Sequence, residues 1–165
     1  MILNLQKKQN IISDINQCMK FALSIIIADP TGIKANQINA LRKKSRKLKI
    51  NIKYVRNTLI NLSNLCIDFK NLKDKINGPN LIAFSYSHPG SGARLFKEFE
   101  QKYNKFRMKI AIFEKKVLFG SDINYLVSLP TYEESIINFI TIIQEISIRK
   151  FIRVLIFIKQ NKDIK

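Results

Sequence analysis

The sequence contains few of the residues from which active sites and metal sites are usually built. It has one histidine, His88, and two cysteines, Cys18 and Cys66, which lie far apart and form no Cys-x-x-Cys motif. These residues are too few for a typical zinc site, and the cysteine spacing predicts reduced thiols. The carboxylates are scattered, no Gly-x-x-x-x-Gly-Lys-Ser/Thr motif occurs, and Gly90-x-Gly92 lacks the third glycine of a dinucleotide loop. We therefore expect that the protein is not an enzyme and that it binds no metal and no cofactor.

Acidic residues are also scarce, with 12 Asp and Glu against 29 Lys and Arg, so the net charge is +17 over 165 residues. A field of that sign attracts nucleic acid phosphates, an anionic membrane surface or acidic proteins. Ile, Lys and Asn, which have A- and T-rich codons, make up 67 residues. Nucleotide bias could therefore raise the lysine count alone, so the position of the charge is more informative than its total. The first eight residues lack the features of an export signal, so we expect a cytoplasmic protein.

Apolar periodicity predicts alternating helices and strands up to about residue 129. Helices are expected over 5–19, then with Ile38, Leu41 and Leu48 on one face, and after a cap at Asn57 with Leu59, Leu62 and Leu65 on one face. Two more are expected from Pro89 to about 103 and over 122–127. Strands are expected over 21–28, which reads as a buried central strand, and over 50–55, 81–85, 106–112 and 117–119. The last two strands are close enough to form a hairpin through Glu114-Lys115. This pattern predicts one layered α/β domain, residues 1–129, with a mixed β-sheet and covering helices.

A second region is expected after Leu129-Pro130. Residues 130–131 read as a hinge, and Thr131-x-x-Glu134 is a capping-box pattern that starts a helix. No Gly or Pro follows as far as Gln160, so one long helix of roughly 45 Å is expected within residues 132–165.

The positive charge is concentrated in one segment, because residues 30–67 contain no Asp or Glu. Three of the seven arginines, Arg42, Arg46 and Arg56, lie there among several lysines. Like charges at i,i+4 on a helix repel one another, and phosphates would supply the missing counter-charge. A solvated, lysine-rich helix face is the plain alternative. After the helix that carries Arg42 and Arg46, Arg56-Asn57-Thr58 lies where a strand ends and another helix begins. This position favours either an anion site or an ordinary Asn cap.

The chain resembles the bacterial large-subunit ribosomal stalk-base protein, which anchors the acidic stalk dimers. The resemblance runs essentially end to end and rests on motifs in the family's order and spacing: LRKxxR (41–46), VRNTL (55–59), GPNLIA (78–83), HPG (88–90), ARLFKEF (93–99) and LPTYEE (129–134). Two features depart from the family. It usually has glycine near the end of the basic helix, where this chain reads Leu48-Lys49-Ile50, and its last helix is commonly rich in alanine rather than isoleucine.

The resemblance implies an N-terminal domain that binds the GTPase-associated region of large-subunit rRNA beside a neighbouring stalk-base ribosomal protein. It implies a C-terminal helix that carries acidic stalk dimers and thereby recruits translational GTPases at the ribosome. Two dimers are expected from the helix itself, because FITII (139–143) and FIRVL (151–155) resemble one five-residue pattern used twice. Autogenous translational repression is a further property of the family. The residues expected to bind rRNA are Lys7, Lys8, Lys34, Arg42, Lys43, Arg46, Lys53, Arg56, Asn57 and Thr58.

The last helix also predicts a partner-binding surface from its own residues, because an apolar stripe of this length must be covered. The residues expected to contact partners are Ile136, Phe139, Ile140, Ile143, Ile146, Phe151, Ile152, Leu155 and Ile158. Charged residues near its middle argue against a membrane span. Folding back onto the domain is one alternative cover. For the whole protein, the alternatives are a non-ribosomal RNA-binding regulator and a membrane-surface protein anchored by this helix; we expect no membrane partner.

Overall fold

The computed structural model describes residues 5–63, 76–114 and 116–163, without the side chains of 147, 148 and 161–163. Leu65, Cys66 and Lys115, on which parts of the sequence-based expectations fall, lie outside the described residues. The chain divides into two compact units, Met1–Leu129 and Pro130–Lys165.

The first unit alternates helices and strands, as the periodicity predicts. Its elements are α1 (Leu5–Phe21), β1 (Ser24–Asp29), α2 (Ala35–Lys47), β2 (Ile50–Val55), α3 (Asn57–Leu62), β3 (Asn80–Ser85), α4 (Pro89–Lys102), β4 (Arg107–Phe113), β5 (Lys116–Phe119) and α5 (Asp122–Ser128). One boundary was predicted wrongly: the strand expected from Phe21 begins at Ser24. Phe21 ends α1 with 76% of its surface exposed, because an apolar run by itself does not mark where a helix stops.

The five strands form one sheet in the order β2-β3-β1-β4-β5. The α/β class and the β4–β5 hairpin are confirmed, but the mixed sheet was wrong, since every pairing is antiparallel. The strands β1 and β2 run in the same direction, as do β3 and β4, yet an opposed strand lies between the members of each pair. The units β1–α2–β2 and β3–α4–β4 therefore each skip one position in the sheet, so their parallel strands are not neighbours.

The sheet separates two apolar layers. On one face α1 and α3 pack through Ile15, Leu59 and Ile60, and on the other face lie α2, α4 and α5. The central strand β1 serves both layers, since Ile25 and Ile27 belong to the first and Ile26 to the second. This double burial explains why its sequence is an uninterrupted apolar run.

The helix α4 lies very close to the sheet, because glycine occupies the contact position. A Cβ on Gly92 would lie 2.6 Å from Ser85 Oγ and 3.0 Å from Ile26 Cδ1. Gly90 is similarly confined, since a Cβ there would lie 2.7 Å from the carbonyl oxygen of Leu126. The two glycines that resemble part of a dinucleotide loop therefore serve helix packing.

The second unit is helical, but the single α-helix expected there is interrupted. It consists of α6 (Tyr132–Gln144), a π-helical turn (Glu145–Arg149) and α7 (Lys150–Asp163). The expected capping box starts it: Thr131 Oγ1 accepts from Glu134 N–H at 3.3 Å, and Glu134 Oε2 accepts from Thr131 N–H at 2.9 Å. Among the described residues, no helix is both long and apolar enough to cross a membrane.

Candidate functional site

The helix α2 presents its cations outward because its other face is tied to the sheet. Leu41 and Ser45 are buried against the domain, and Ser45 Oγ also donates to the carbonyl of Arg42 at 2.9 Å. Helical geometry then turns the intervening positions toward solvent. The exposed cations of this helix are Arg42, Lys43, Lys44, Arg46 and Lys47.

Among the described residues, these cations have little counter-charge. Lys44 pairs with Glu98 of α4 at 2.5 Å, with both side chains more than half exposed. Arg42, Lys43 and Arg46 make no ion pair with any residue that the structure describes. They are therefore accessible to an external anion, and the arginines offer planar donor pairs that suit phosphate oxygens.

The end of α2 differs from the sequence-based expectation. A helix that continued through Lys49 would place this residue on one stripe with Arg42 and Arg46, as the spacing predicts, but the helix ends at Lys47 and Leu48 is its C-cap. Lys49 then adopts a φ of +55°, the left-handed conformation that glycine favours after a helix. The departure from the family's usual glycine thus falls on a residue whose backbone is unusual for a lysine.

The residues after β2 split into an exposed and an inward-turned group. Arg56 and Thr58 are exposed, and Arg56 rather than Asn57 is the N-cap of α3. Asn57 Nδ2 donates to the carbonyl of Ile76 at 3.1 Å, and its Oδ1 accepts from Asn80 Nδ2 at 2.6 Å. Because its amide is bonded inward, Asn57 ties the start of α3 to the start of β3. The sequence suggested a cap here but not the Asn80 partner, which is 23 residues away.

Lys34 is exposed as the N-cap of α2, whereas Lys7, Lys8 and Lys53 lie toward the opposite face of the sheet from α2. Lys7 and Lys8 are exposed on α1, whereas Lys53 is partly buried and lies 3.9 Å from Asp14 of the same helix. The strand β2, which ends just before Arg56, is an edge of the sheet. An RNA that contacts both groups of cations would therefore have to pass around this edge.

The described side chains of the second unit from Tyr132 to Gln160 are all exposed. All nine residues expected to contact partners are among them, with Phe139 and Phe151 each 64% exposed. Three apolar residues, Ile136, Ile140 and Ile143, recur in α6, and the same spacing recurs 15 positions later in α7 at Phe151, Leu155 and Ile158.

The π-helical turn at Glu145–Arg149 aligns these two triplets. An α-turn holds 3.6 residues and a π-turn about one more, so three α-turns and one π-turn together hold roughly 15 residues. In an uninterrupted α-helix the same offset would rotate the second triplet by roughly 60° relative to the first. The apolar periodicity predicted one uninterrupted helix and not this turn, in which Arg149 Nη1 lies 2.6 Å from Glu145 Oε1.

Comparison with known proteins identifies the family. A family model described as Ribosomal protein L10 matches residues 3–101. The chain is 57% identical over 161 residues to Large ribosomal subunit protein uL10 of Wigglesworthia glossinidia brevipalpis, covering 98% of this chain and 100% of that protein. The chain belongs to the ribosomal protein L10 family. Proteins with the same name from Buchnera aphidicola subsp. Schizaphis graminum and Shewanella woodyi are 47% and 39% identical over 163 residues, covering 99% of this chain and 99% and 98% of those proteins.

Membership of the ribosomal protein L10 family confirms the resemblance to the bacterial stalk-base protein. It also confirms that the chain is a structural protein and not an enzyme. His88 serves the start of α4 as its N-cap, because its Nδ1 accepts from Gly90 N–H at 3.0 Å.

Arg94 has a structural role that the sequence did not reveal. Its guanidinium donates to the carbonyls of Val127 at 3.1 Å and Leu129 at 2.8 Å. These are among the last carbonyls of the first unit, and they follow α5 where the helix leaves them without intrahelical partners. Only the tertiary contact between α4 and α5 brings Arg94 to this position.

Proposed function

We propose that this chain forms the base of the large-subunit ribosomal stalk. Residues 1–129 bind the GTPase-associated region of large-subunit rRNA beside a neighbouring stalk-base protein. Residues 132–165, joined by a hinge at 130–131, carry two acidic stalk dimers through which GTP-bound translation factors are recruited. The family membership supports the ribosomal assignment. The observation that carries the rRNA assignment is the row of exposed cations on α2 without ion pairs to described residues.

The α2 surface supports rRNA binding on electrostatic grounds. Each phosphate that a cation neutralises releases condensed counterions, which gives affinity and a strong dependence on salt. Arg42, Lys43 and Arg46 can neutralise phosphates without breaking an ion pair to any described residue. Lys34, Arg56 and Thr58 extend the proposed surface along the chain, and Asn57 contributes by holding the start of α3. Lys7, Lys8 and Lys53 form a second, separate part of it.

The rRNA assignment is tested with Arg42→Ala combined with Arg46→Ala, because both side chains are exposed and neither supports the core. We expect weaker binding to an rRNA fragment of the GTPase-associated region, and a plot of log K against log salt whose slope is smaller by about 1.5. The matched control is Lys20→Gln with Lys116→Gln, which removes the same charge elsewhere on the domain. An unchanged slope in the arginine variant would refute the proposed RNA surface.

The apolar surface of the second unit supports a platform for partner chains. Two triplets of large apolar residues on one face provide two equivalent binding sites. This arrangement suits two successive dimers that each bind a helix in a groove. Lys150, Arg153 and Lys159 are exposed around the second triplet and complement acidic partners.

The platform assignment is tested by truncation after Pro130 and by native mass spectrometry of the full chain co-expressed with the acidic stalk protein of its organism. We expect the full chain to retain two dimers, and the truncated chain to retain none while still binding the rRNA fragment. Partners that remain bound after truncation would contradict the assignment. Sedimentation with anionic vesicles, lost on the same truncation, would instead favour a membrane-surface role.

A further inference from the structure

A cleft of about 350 Å³ lies between the segment that enters α2 and the segment that joins α4 to β4. Its volume is at the lower end of the range typical of ligand sites. It is lined by Gly32, Ile33, Lys34 and Gln37 on one side and by Lys102, Tyr103, Asn104 and Lys105 on the other. Of these residues, the sequence patterns singled out only Lys34 as a functional candidate.

The cleft concentrates positive charge that the described acidic residues do not offset. Lys102 Nζ lies 5.8 Å from the centroid of the Tyr103 ring. Lys34, Lys102 and Lys105 make no ion pair with any residue in the described ranges. Neighbouring lysines behave differently, since Lys97 lies 3.1 Å from Glu100 and Lys109 lies 2.7 Å from Asp29. Three like charges around one cavity repel one another, and a bound anion would add an attractive interaction with each of them.

The backbone around the cleft is held in place from both sides. Gly32 has a φ of +78°, and a Cβ there would lie 2.7 Å from Lys105 Cδ, so the stem of Lys105 lies directly against the loop. The loop itself is ordered by Asp29, whose Oδ1 accepts from Thr31 N–H at 3.0 Å. The charge of Asp29 is in turn balanced by Lys109, so the acidic residue nearest along this loop does not neutralise the cleft.

An aromatic ring forms part of the wall. Tyr103 is partly buried and packs on Phe99 with ring centroids 4.5 Å apart. Tyrosines beside cationic side chains are common in RNA-binding sites, where the ring contacts a sugar or base next to the bound phosphate. At the start of α2, Gln37 Oε1 accepts from Lys34 N–H at 3.0 Å, so this backbone donor is already bonded. The proposed anion contacts are the lysine side chains.

We propose that this cleft binds a phosphate group of an RNA strand through Lys34, Lys102 and Lys105. The proposal rests on the rRNA binding proposed above and extends it from α2 to the segment between α4 and β4. Lys34 precedes Arg42 by eight positions and Arg46 by twelve, which is roughly 12 Å and 18 Å along a helix. The cleft is thus a contact separate from the arginines, and it can fail independently of them.

The test uses the full chain carrying Lys102→Gln with Lys105→Gln, which removes two charges but keeps most of each aliphatic stem. We expect about tenfold weaker binding to the rRNA fragment and a salt slope smaller by about 1. The control is again Lys20→Gln with Lys116→Gln, which should bind more tightly than the cleft variant. Inorganic phosphate, titrated alone, should shift the NMR amide signals of Gly32 and Asn104 saturably in the wild type but not in the cleft variant.

Several results would overturn the proposal. Equal rRNA affinity of the cleft variant and the control would remove the cleft from the RNA surface, even if inorganic phosphate still shifts the signals, because the cleft would then take free phosphate only. If the arginine variant loses rRNA affinity while the cleft variant does not, only the cleft proposal fails. If the wild-type chain does not bind the fragment, the proposed function and the cleft proposal both fail.

Discussion

Replacing Lys49 with glycine should stabilise the protein although it removes a side chain. Lys49 follows the C-cap of α2 with a φ of +55°. In that conformation the Cβ of an L-residue crowds the following carbonyl oxygen, at a cost of about 1–2 kcal/mol. Glycine has no Cβ and avoids the strain. Its own cost is the greater freedom of the unfolded chain, about 0.4–1 kcal/mol.

The difference between these two effects gives the expected magnitude. Lys49→Gly should raise the free energy of unfolding by about 0.5–1 kcal/mol and the melting temperature by about 3 °C. Lys49 is exposed and makes no ion pair with a described residue, so the loss of its side chain adds little. Lys49→Ala keeps the backbone strain and should change stability by less than about 0.5 kcal/mol.

Urea unfolding followed by circular dichroism measures the effect, with the midpoint shifting at a constant denaturant dependence. The sequence contains no tryptophan, so tyrosine emission is the second optical probe. Leu48→Gly is the positional control, since Leu48 has a φ of −92° and glycine there should destabilise by roughly 0.5–1 kcal/mol. The reasoning fails if Lys49→Gly is no more stable than Lys49→Ala, or if glycine at both positions has the same effect.

Two further predictions concern packing and pH. Gly92→Ala should lower the free energy of unfolding by about 2–3 kcal/mol, because the added Cβ would lie 2.6 Å from Ser85 Oγ. The control is Gly120→Ala, where the added Cβ meets no atom within 4 Å but φ is +52°. It should lower the free energy of unfolding by only about 1 kcal/mol in the same urea titration. Burial alone would raise the pKa of Asp29, but bonds from Lys109 and Thr31 outweigh it and hold this pKa below the ordinary value of 3.8. The resulting stabilisation is present above pH 3.8 and is lost as the pH falls through the lower folded pKa of Asp29. Asp29→Asn should therefore reduce the dependence of the melting temperature on pH in that acid range. An unchanged dependence would contradict this role.

Local sequence determined most of the elements and the direction in which their residues face. Because Leu41 faces the core of the domain, helical geometry places Arg42 and Arg46 on the outer side of α2. Helical periodicity depends only on residues that are close in the sequence. The capping box of Thr131 and Glu134 is equally local, since its partners are three residues apart. The apolar run of β1 predicted a buried central strand, and β1 is the middle strand of the sheet.

Long-range pairing decided what the sequence left open. The antiparallel sheet depends on partners such as Ile27 and Ile82, which are 55 positions apart, and no local pattern specifies which strands become neighbours. The inward bond of Asn57 to Asn80 has the same origin. The position of Lys105 beside Gly32 also arises only when two distant segments meet.

The sequence by itself therefore fixed the chemistry of this protein: an excess of cations, few groups suited to catalysis, and an apolar last helix, because composition and short-range periodicity need no fold to be read. The tertiary structure decided which cations share a surface and which side chains are already bonded, since both depend on strand order. It also decided that a π-helical turn at Glu145–Arg149 aligns the two apolar triplets, because the offset between the triplets does not specify where the hydrogen-bond register changes.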